Sequence, residues 1–300
     1  MKHIDKSKQE HDALSLIDDF LRARWIEAEQ AYANISYNDL RDKQTGKQVS
    51  YRDDLENIIS ENQEGYCCFC MRKIGASGTK TLEHIIPDKF VGKENRDGEI
   101  EKYEKYVGYN LPFLTKDNVE LAYLFKERKK RDTPPYPHDI SYHNLVLSCD
   151  GKYPTGSKAR SSMTCNNYRK QKDYCPIFFD KVLSEAVEYE PSGEIKVCSD
   201  ATDEVKERVS GIVISADLSY GTLRAIRHLW FLLRHVPMNE LEAVAESGED
   251  VALSTFIGQT VTGDREEDEN VRKVFNNIQI WQTFLEYSWF KDYFSQKYPE

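Results

Sequence analysis

Apolar positions near the N-terminus recur at helical spacing. Leu14, Ile17, Leu21, Trp25, Ala28 and Tyr32 fall three or four residues apart, which predicts a helix over about 10–33 with one apolar stripe. A polar, glycine-containing stretch follows. Ser50 then opens a Ser-x-x-Asp box ending at Asp53, an N-cap signature ahead of Leu55, Ile58 and Ile59. Gly65 ends this second helix, because glycine tolerates the left-handed conformation needed past a helix C-terminus. From 66 to 175 the pattern breaks into short apolar runs among glycines and prolines. Residues 186–198 alternate about Pro191-Ser-Gly193, which predicts a β-hairpin. Helical spacing returns over about 220–235, 239–247 and 268–297, and no repeat of fixed period is present.

These elements predict an α+β, mainly helical chain in three parts. A helical lead-in (1–65) precedes an irregular centre (66–175) with insertions at about 92–140 and 150–164. A hairpin and a helical C-terminal region (176–300) complete it. With 300 residues, 39% of them hydrophobic, the chain can bury a substantial core. Its longest unbroken apolar stretch, Leu229-Trp-Phe-Leu-Leu233, is far below the roughly 20 residues needed to cross a bilayer. Met1-Lys-His-Ile-Asp-Lys leads into polar sequence without the apolar run of a secretion signal, so the expectation is a cytoplasmic protein with no membrane partner.

Charge and cysteine change the picture by singling out the centre. The whole chain carries −10, yet from Gly65 to Cys175 there are 20 Lys and Arg against 14 Asp and Glu. A basic middle between acidic flanks can draw in a polyanion locally. All seven cysteines lie between 67 and 198, and in a reducing compartment they point to metal binding before disulfides.

Three pieces of sequence carry the candidate chemistry. Tyr66-Cys-Cys-Phe-Cys-Met-Arg-Lys-Ile74 contains Cys67-x-x-Cys70, two thiolates able to grip one tetrahedral ion from a tight turn. Cys149 and Cys165 are the candidates to close that site, across a gap far longer than a knuckle's two residues; buried free thiols are the alternative. Cys68, Cys175 and Cys198 read as small hydrophobes. The second piece, Thr81-Leu-Glu-His-Ile-Ile-Pro87, pairs Glu83 with His84, an oxygen ligand for a hard cation beside a base for water. The third is His143-Asn-Leu-Val-Leu-Ser-Cys149, continued after the gap by Cys165-Asn-Asn-Tyr-Arg-Lys170. Asn166 offers an amide oxygen to a divalent cation, and Arg169 and Lys170 can meet phosphate. Lys152, Lys158 and Arg160 lie between the last two cysteines and are candidate nucleic-acid contacts, as is the run Lys-Glu-Arg-Lys-Lys-Arg at 126–131.

In this order the motifs resemble those of the HNH endonucleases in their zinc-braced, ββα-metal form, over about a third of the chain (67–170). The resemblance implies an HNH core with a structural zinc knuckle, embedded between the helical regions. It implies His84 as the general base, Asn144 as the residue that holds the hairpin and orients the base, and Glu83 and Asn166 as ligands of a catalytic Mg²⁺ or Mn²⁺. Asn167 is the alternative to Asn166. Cys67, Cys70, Cys149 and Cys165 match the structural Zn²⁺ site.

The flanks add a narrower likeness. The helical lead-in, the expanded Cys149–Cys165 gap and a helical tail with Ser215-Ala-Asp-Leu-Ser-Tyr220 are similar to the PtuB-type HNH proteins of Septu and related retron anti-phage defence. That implies DNA as substrate and an SMC/ABC-like, PtuA-type ATPase as partner. Most of the C-terminal aromatics, Phe275, Trp281, Phe284, Tyr287, Trp289, Phe290, Tyr293, Phe294 and Tyr298, are expected to be core, but their spread around Trp281–Phe294 covers more than one helix face and is expected to offer a docking surface to such a partner. A ribonuclease on the same fold would use the same residues. A non-catalytic zinc adaptor would keep the cysteines but would have no need of Glu83, His84 and Asn166.

Overall fold

The computed structural model describes residues 1–28, 37–44, 46–75, 80–85, 140–154, 163–169 and 174–299. Most of the predicted insertion at 92–140, the run at 126–131, His138 and Tyr32 lie outside them. The fold is mainly helical with a few short strands. The chain divides into two compact units, one formed by Ile4–Gly65 and Leu82–Leu147, the other by Met1–His3, Tyr66–Thr81 and Ser148–Glu300. Among the described residues no helix is long and apolar enough to cross a membrane.

In the first unit, helix α1 (Glu10–Ala28) buries Ala13, Ile17, Phe20 and Leu21, one face at helical spacing. Helix α2 (Tyr51–Asn62) answers it with Tyr51, Leu55 and Ile59, and the Phe20 and Tyr51 rings meet edge to face at 5.2 Å. Its start is the predicted capping box: Asp53 N–H donates to Ser50 Oγ at 3.1 Å and Ser50 N–H to Asp53 Oδ2 at 3.2 Å. Past its end the Gly65 N–H reaches back to the Ser60 carbonyl. Strand β1 (Lys80–His84) pairs with β2 (Leu145–Cys149) in a two-stranded sheet, and Ile85 N–H bonds the Asn144 carbonyl where the end of β1 meets the start of β2. All five residues of β2 are buried. The Gln63 amide acts as a substitute strand along it, donating to the Leu147 carbonyl and accepting from the Leu147 N–H, both at 2.8 Å.

The second unit holds the remaining helices among the described residues. These are α3 (Cys165–Arg169), α4 (Lys181–Glu185), α5 (Asp203–Ser215), α6 (Gly221–Leu232), α7 (Met238–Ser247), α8 (Asp250–Thr260), α9 (Glu266–Val274), α10 (Ile278–Leu285) and α11 (Trp289–Lys297). Strands β3 (Val187–Tyr189) and β4 (Ile195–Val197) form the predicted hairpin, antiparallel with Glu188 opposite Lys196. Gly193 in its turn is left-handed (φ 81°), and a Cβ there would lie 2.1 Å from the Arg224 carbonyl oxygen of α6. The buried Arg227 donates to the Gly193 and Leu218 carbonyls, so the hairpin is bonded to α6.

One expectation for the C-terminal region is corrected. The stretch 268–297 is three helices, not one. Phe275 leaves helical geometry, the Asn277 side chain caps α10 by accepting from the Ile280 N–H, and the chain turns again before Trp289. Of the C-terminal aromatics, Phe275, Trp281, Phe284, Tyr287, Phe290 and Phe294 are buried, as expected for most of them, while Trp289, Tyr293 and Tyr298 are half-buried. Trp230 and Trp281 both stack on Phe284, at 4.2 and 4.7 Å, and their indole N–H groups donate to the Phe284 and Leu241 carbonyls.

A buried hydrogen-bonded pair, His228 and Asp268, links two helices of this core. His228 on α6 contacts the Pro191 carbonyl through Nδ1 at 2.6 Å and Asp268 on α9 through Nε2 at 3.0 Å. Burial pushes the Asp268 carboxyl up, but bonds from His228 and from Arg265 outweigh it, holding the group below the usual aspartate range. Asp268→Asn is expected to cost about 1–3 kcal/mol at pH 7, the loss of buried hydrogen bonds to a charged acceptor, read as a lowered urea midpoint. A carboxyl depressed in the fold stabilises above its unfolded pKa of about 3.9 and loses that contribution as pH falls through its folded value. The difference between the two chains should therefore shrink below about pH 4.

Candidate metal centre and the Glu83–His84 cluster

Four sulfurs meet in the second unit. A tight turn presents Cys67 and Cys70: Tyr66 and Lys73 form an antiparallel bridge, Cys67 N–H donates to the Arg72 carbonyl at 2.8 Å, and Met71 takes a left-handed φ of 63° to turn the chain. Cys149 arrives at the end of β2 and Cys165 at the start of α3. The long gap between them is closed at its base. Thr164 N–H donates to the Gly151 carbonyl at 3.0 Å, and Gly151 is left-handed with its Cα so near that a Cβ would sit 2.0 Å from the Thr164 carbonyl oxygen. Cys165 N–H is held by the Ala216 carbonyl at 2.8 Å.

All four thiols are buried and their sulfurs lie within 4.8 Å of one another. Cys70–Cys149, Cys149–Cys165 and Cys67–Cys165 are 3.5, 3.7 and 4.0 Å apart. Bonds of 2.3 Å at tetrahedral angles separate sulfurs by about 3.8 Å, so the set fits a zinc-sized ion, while a disulfide needs roughly 2.05 Å. Electrostatics agrees. Against burial, hydrogen bonds from the neighbouring thiols pull Cys67 well below the usual thiol range, whereas burial and those same neighbours push Cys165 well above it. A cation among the sulfurs would stabilise thiolates gathered at one point. The residues can therefore hold a metal ion.

Arg72 ties three segments around this set. Its guanidinium pairs with Glu286 at 2.5 Å, lies 3.4 Å from Asp150 and donates to the Lys152 carbonyl at 3.1 Å, while Lys73 N–H bonds the Glu286 carbonyl. Tyr287 and Tyr153 stand beside the sulfurs, the former 3.7 Å from Cys70. These partners were not anticipated from the sequence, where no motif links position 287 to position 70.

On α3 the Asn166 amide oxygen accepts from Arg169 at 3.1 Å, and the Asn167 amide nitrogen bonds the Asp150 carbonyl. An amide oxygen has a second lone pair, so this bond does not bar Asn166 from a cation. Arg169, expected to meet phosphate, is buried and lies over the Tyr174 ring at 4.7 Å. In this position it donates to Asn166 and packs on Tyr174. Lys152 is exposed and 3.8 Å from Asp150, while Lys158, Arg160 and Lys170 lie outside the described residues. Cys68 and Cys175 are buried and Cys198 half-buried.

The first unit carries the Glu83–His84 pair at the end of β1, Glu83 buried and His84 half-buried. Asn144 is buried beside the end of this strand, its carbonyl taken by Ile85. The buried Lys6 amine donates to the Tyr142 and Leu145 carbonyls on either side of Asn144 and so holds that turn. His143 bonds Glu10 at 2.8 Å; burial keeps it below the usual histidine range despite that carboxylate.

His84 has neighbours that no motif announced. Tyr37 meets its ring edge to face at 4.9 Å, Arg52 lies over Tyr37 at 5.1 Å, and Arg52 pairs with Glu56 at 2.7 Å. Burial above all pushes the Tyr37 hydroxyl up to about 12, with Arg52 opposing and Glu56 and Glu83 adding to the shift. A carboxylate, an imidazole, a neutral phenol and a guanidinium are thus assembled within one unit.

Comparison with protein-family models, with curated proteins and with solved structures finds no match for this chain. Metal analysis of the purified chain should find one zinc-sized ion per molecule, held through thiolates, and Cys149→Ser should abolish its retention through gel filtration.

Proposed function

We propose that the chain is a metal-dependent endonuclease of the HNH type, in which a structural Zn²⁺ on Cys67, Cys70, Cys149 and Cys165 braces a ββα nuclease core. The observation that carries the reading is the meeting of these four sulfurs, because they come from the same three segments that bear the other motifs. One cysteine pair precedes the strand that ends on Glu83 and His84. The third ends the strand that follows Asn144, and the fourth opens the helix that bears Asn166.

In this reading the His84 imidazole accepts a proton from the attacking water. Tyr37 fixes the ring's plane, and Asn144 and Lys6 hold the turn beside it. A Mg²⁺ or Mn²⁺ held beside this base would supply positive charge at the scissile phosphate. Glu83 offers the carboxylate oxygen such hard cations prefer. DNA is the proposed substrate. The acidic flanks weaken capture of a polyanion by the free chain, which favours action with a partner that itself holds nucleic acid, and an SMC/ABC-like ATPase in anti-phage defence is the proposed one.

The test is cleavage of plasmid DNA and of total tRNA with Mg²⁺ or Mn²⁺, with and without an ATPase of that class. His84→Ala is expected to slow cleavage by about 10²–10⁴-fold while keeping its zinc. Asn166→Ala is expected to lose activity and Asn167→Ala to keep it. Wild type and His84→Ala equally inert on both substrates, partner included, would reject the enzyme.

A further inference from the structure

A chain of buried hydroxyls joins two of the four sulfurs. The Tyr287 hydroxyl lies 3.7 Å from Cys70 Sγ and 3.1 Å from the Tyr153 hydroxyl. Tyr153 is 3.3 Å from Thr164 Oγ1, which is 3.5 Å from Cys165 Sγ. Tyr287 and Thr164 are fully buried and Tyr153 nearly so. A buried phenol must find a polar partner, and here the partner at each end of the chain is sulfur.

We propose that Tyr287 and Thr164 are positioning residues of the metal centre, donating hydrogen bonds to the Cys70 and Cys165 thiolates so that the bound ion is retained. The proposal rests on the four-cysteine metal reading. Proton counting supports the direction of these bonds. The chain has four links and each of its three hydroxyls owns one proton. With both end sulfurs ionised, Tyr287 and Thr164 donate outward to them, leaving only Tyr153 to donate within. Tyr153 then donates to one of its two hydroxyl neighbours, 3.1 Å away at Tyr287 and 3.3 Å away at Thr164. A donor to an ionised sulfur is charge-assisted and stronger than one to a thiol, so loading the site tightens both ends at once.

The consequence is that ion retention depends on a residue 217 positions away from Cys70, on the segment between α10 and α11. Arg72 and Lys73 hold the neighbouring Glu286 and fix where Tyr287 stands.

The experiment uses the full chain loaded with Zn²⁺ and, in parallel, with Co²⁺ as a spectroscopic probe. Tyr287→Phe removes one hydroxyl and is expected to weaken zinc affinity against a competing chelator by about 10–100-fold. Its sulfur-to-Co²⁺ charge-transfer band should move to lower energy, because a thiolate without its donor is easier to oxidise. Thr164→Val should do the same at Cys165, and Thr164→Ser, which keeps the hydroxyl, should match wild type. Tyr153→Phe keeps both sulfur donors and should have a smaller effect than either. Tyr293→Phe, whose hydroxyl serves the Tyr189 N–H instead, should leave the band in place. Should Tyr287→Phe fail to fold, the Thr164→Val and Thr164→Ser pair carries the comparison. Wild-type affinity and an unmoved band in folded Tyr287→Phe and Thr164→Val would overturn the proposal and leave the metal site standing. Failure of the wild type to bind either ion would overturn both.

Discussion

Four sulfurs drawn from positions 67, 70, 149 and 165 have to occupy one small buried volume, and much of the second unit is arranged around that constraint. Bringing chain segments about 80 and 16 residues apart to a point costs closure entropy that grows only slowly with length. The harder requirement is local. Each sulfur needs a backbone that delivers it, and the structure supplies a left-handed Met71, a left-handed Cys165 and a Gly151 packed against Thr164. Strained backbone held in place by its surroundings is expected where a site demands it.

Around that point the polar groups are matched in layers. Hydroxyls face the sulfurs, and Arg72 beside them engages Glu286, Asp150 and the Lys152 carbonyl. In the other unit the same economy appears near His84. Gln63 bonds the backbone of β2, Lys6 holds the turn bearing Asn144, and Tyr37, itself under Arg52, packs on the imidazole. Buried donors and acceptors satisfied in this way restrict a core to one arrangement, since the low dielectric that strengthens a made bond also penalises a missing one. Polar residues, more than the apolar ones, define the surroundings of both candidate centres.

Elements whose signals are local were legible. The Ser50–Asp53 capping box and the hairpin about Pro191-Ser-Gly193 involve neighbours in sequence, so their residue types declare them. Helices α5 and α8 were missed because each buries a narrow face, chiefly Val209 and Ile212 in one and Leu253 and Ile257 in the other. The breaks that divide 268–297 carry neither glycine nor proline, and their only cap-type signals are Asn276, Asn277 and Ser288. The aromatics of that stretch looked too widely spread for one helix face. Three short helices resolve the difficulty by turning each group toward the same core.

Motif order and residue chemistry were enough to nominate the four cysteines and the Glu83–His84 pair, because ligand type and short spacing are written in the chain itself. Tertiary structure alone decided which residues surround them. It put Tyr287 at Cys70, Tyr37 at His84 and the Tyr174 ring under a buried Arg169. The physical reason is range. A cap or a turn is governed by dihedral preferences within a few residues, whereas a contact between positions 70 and 287 exists only once packing has excluded water and aligned separate helices.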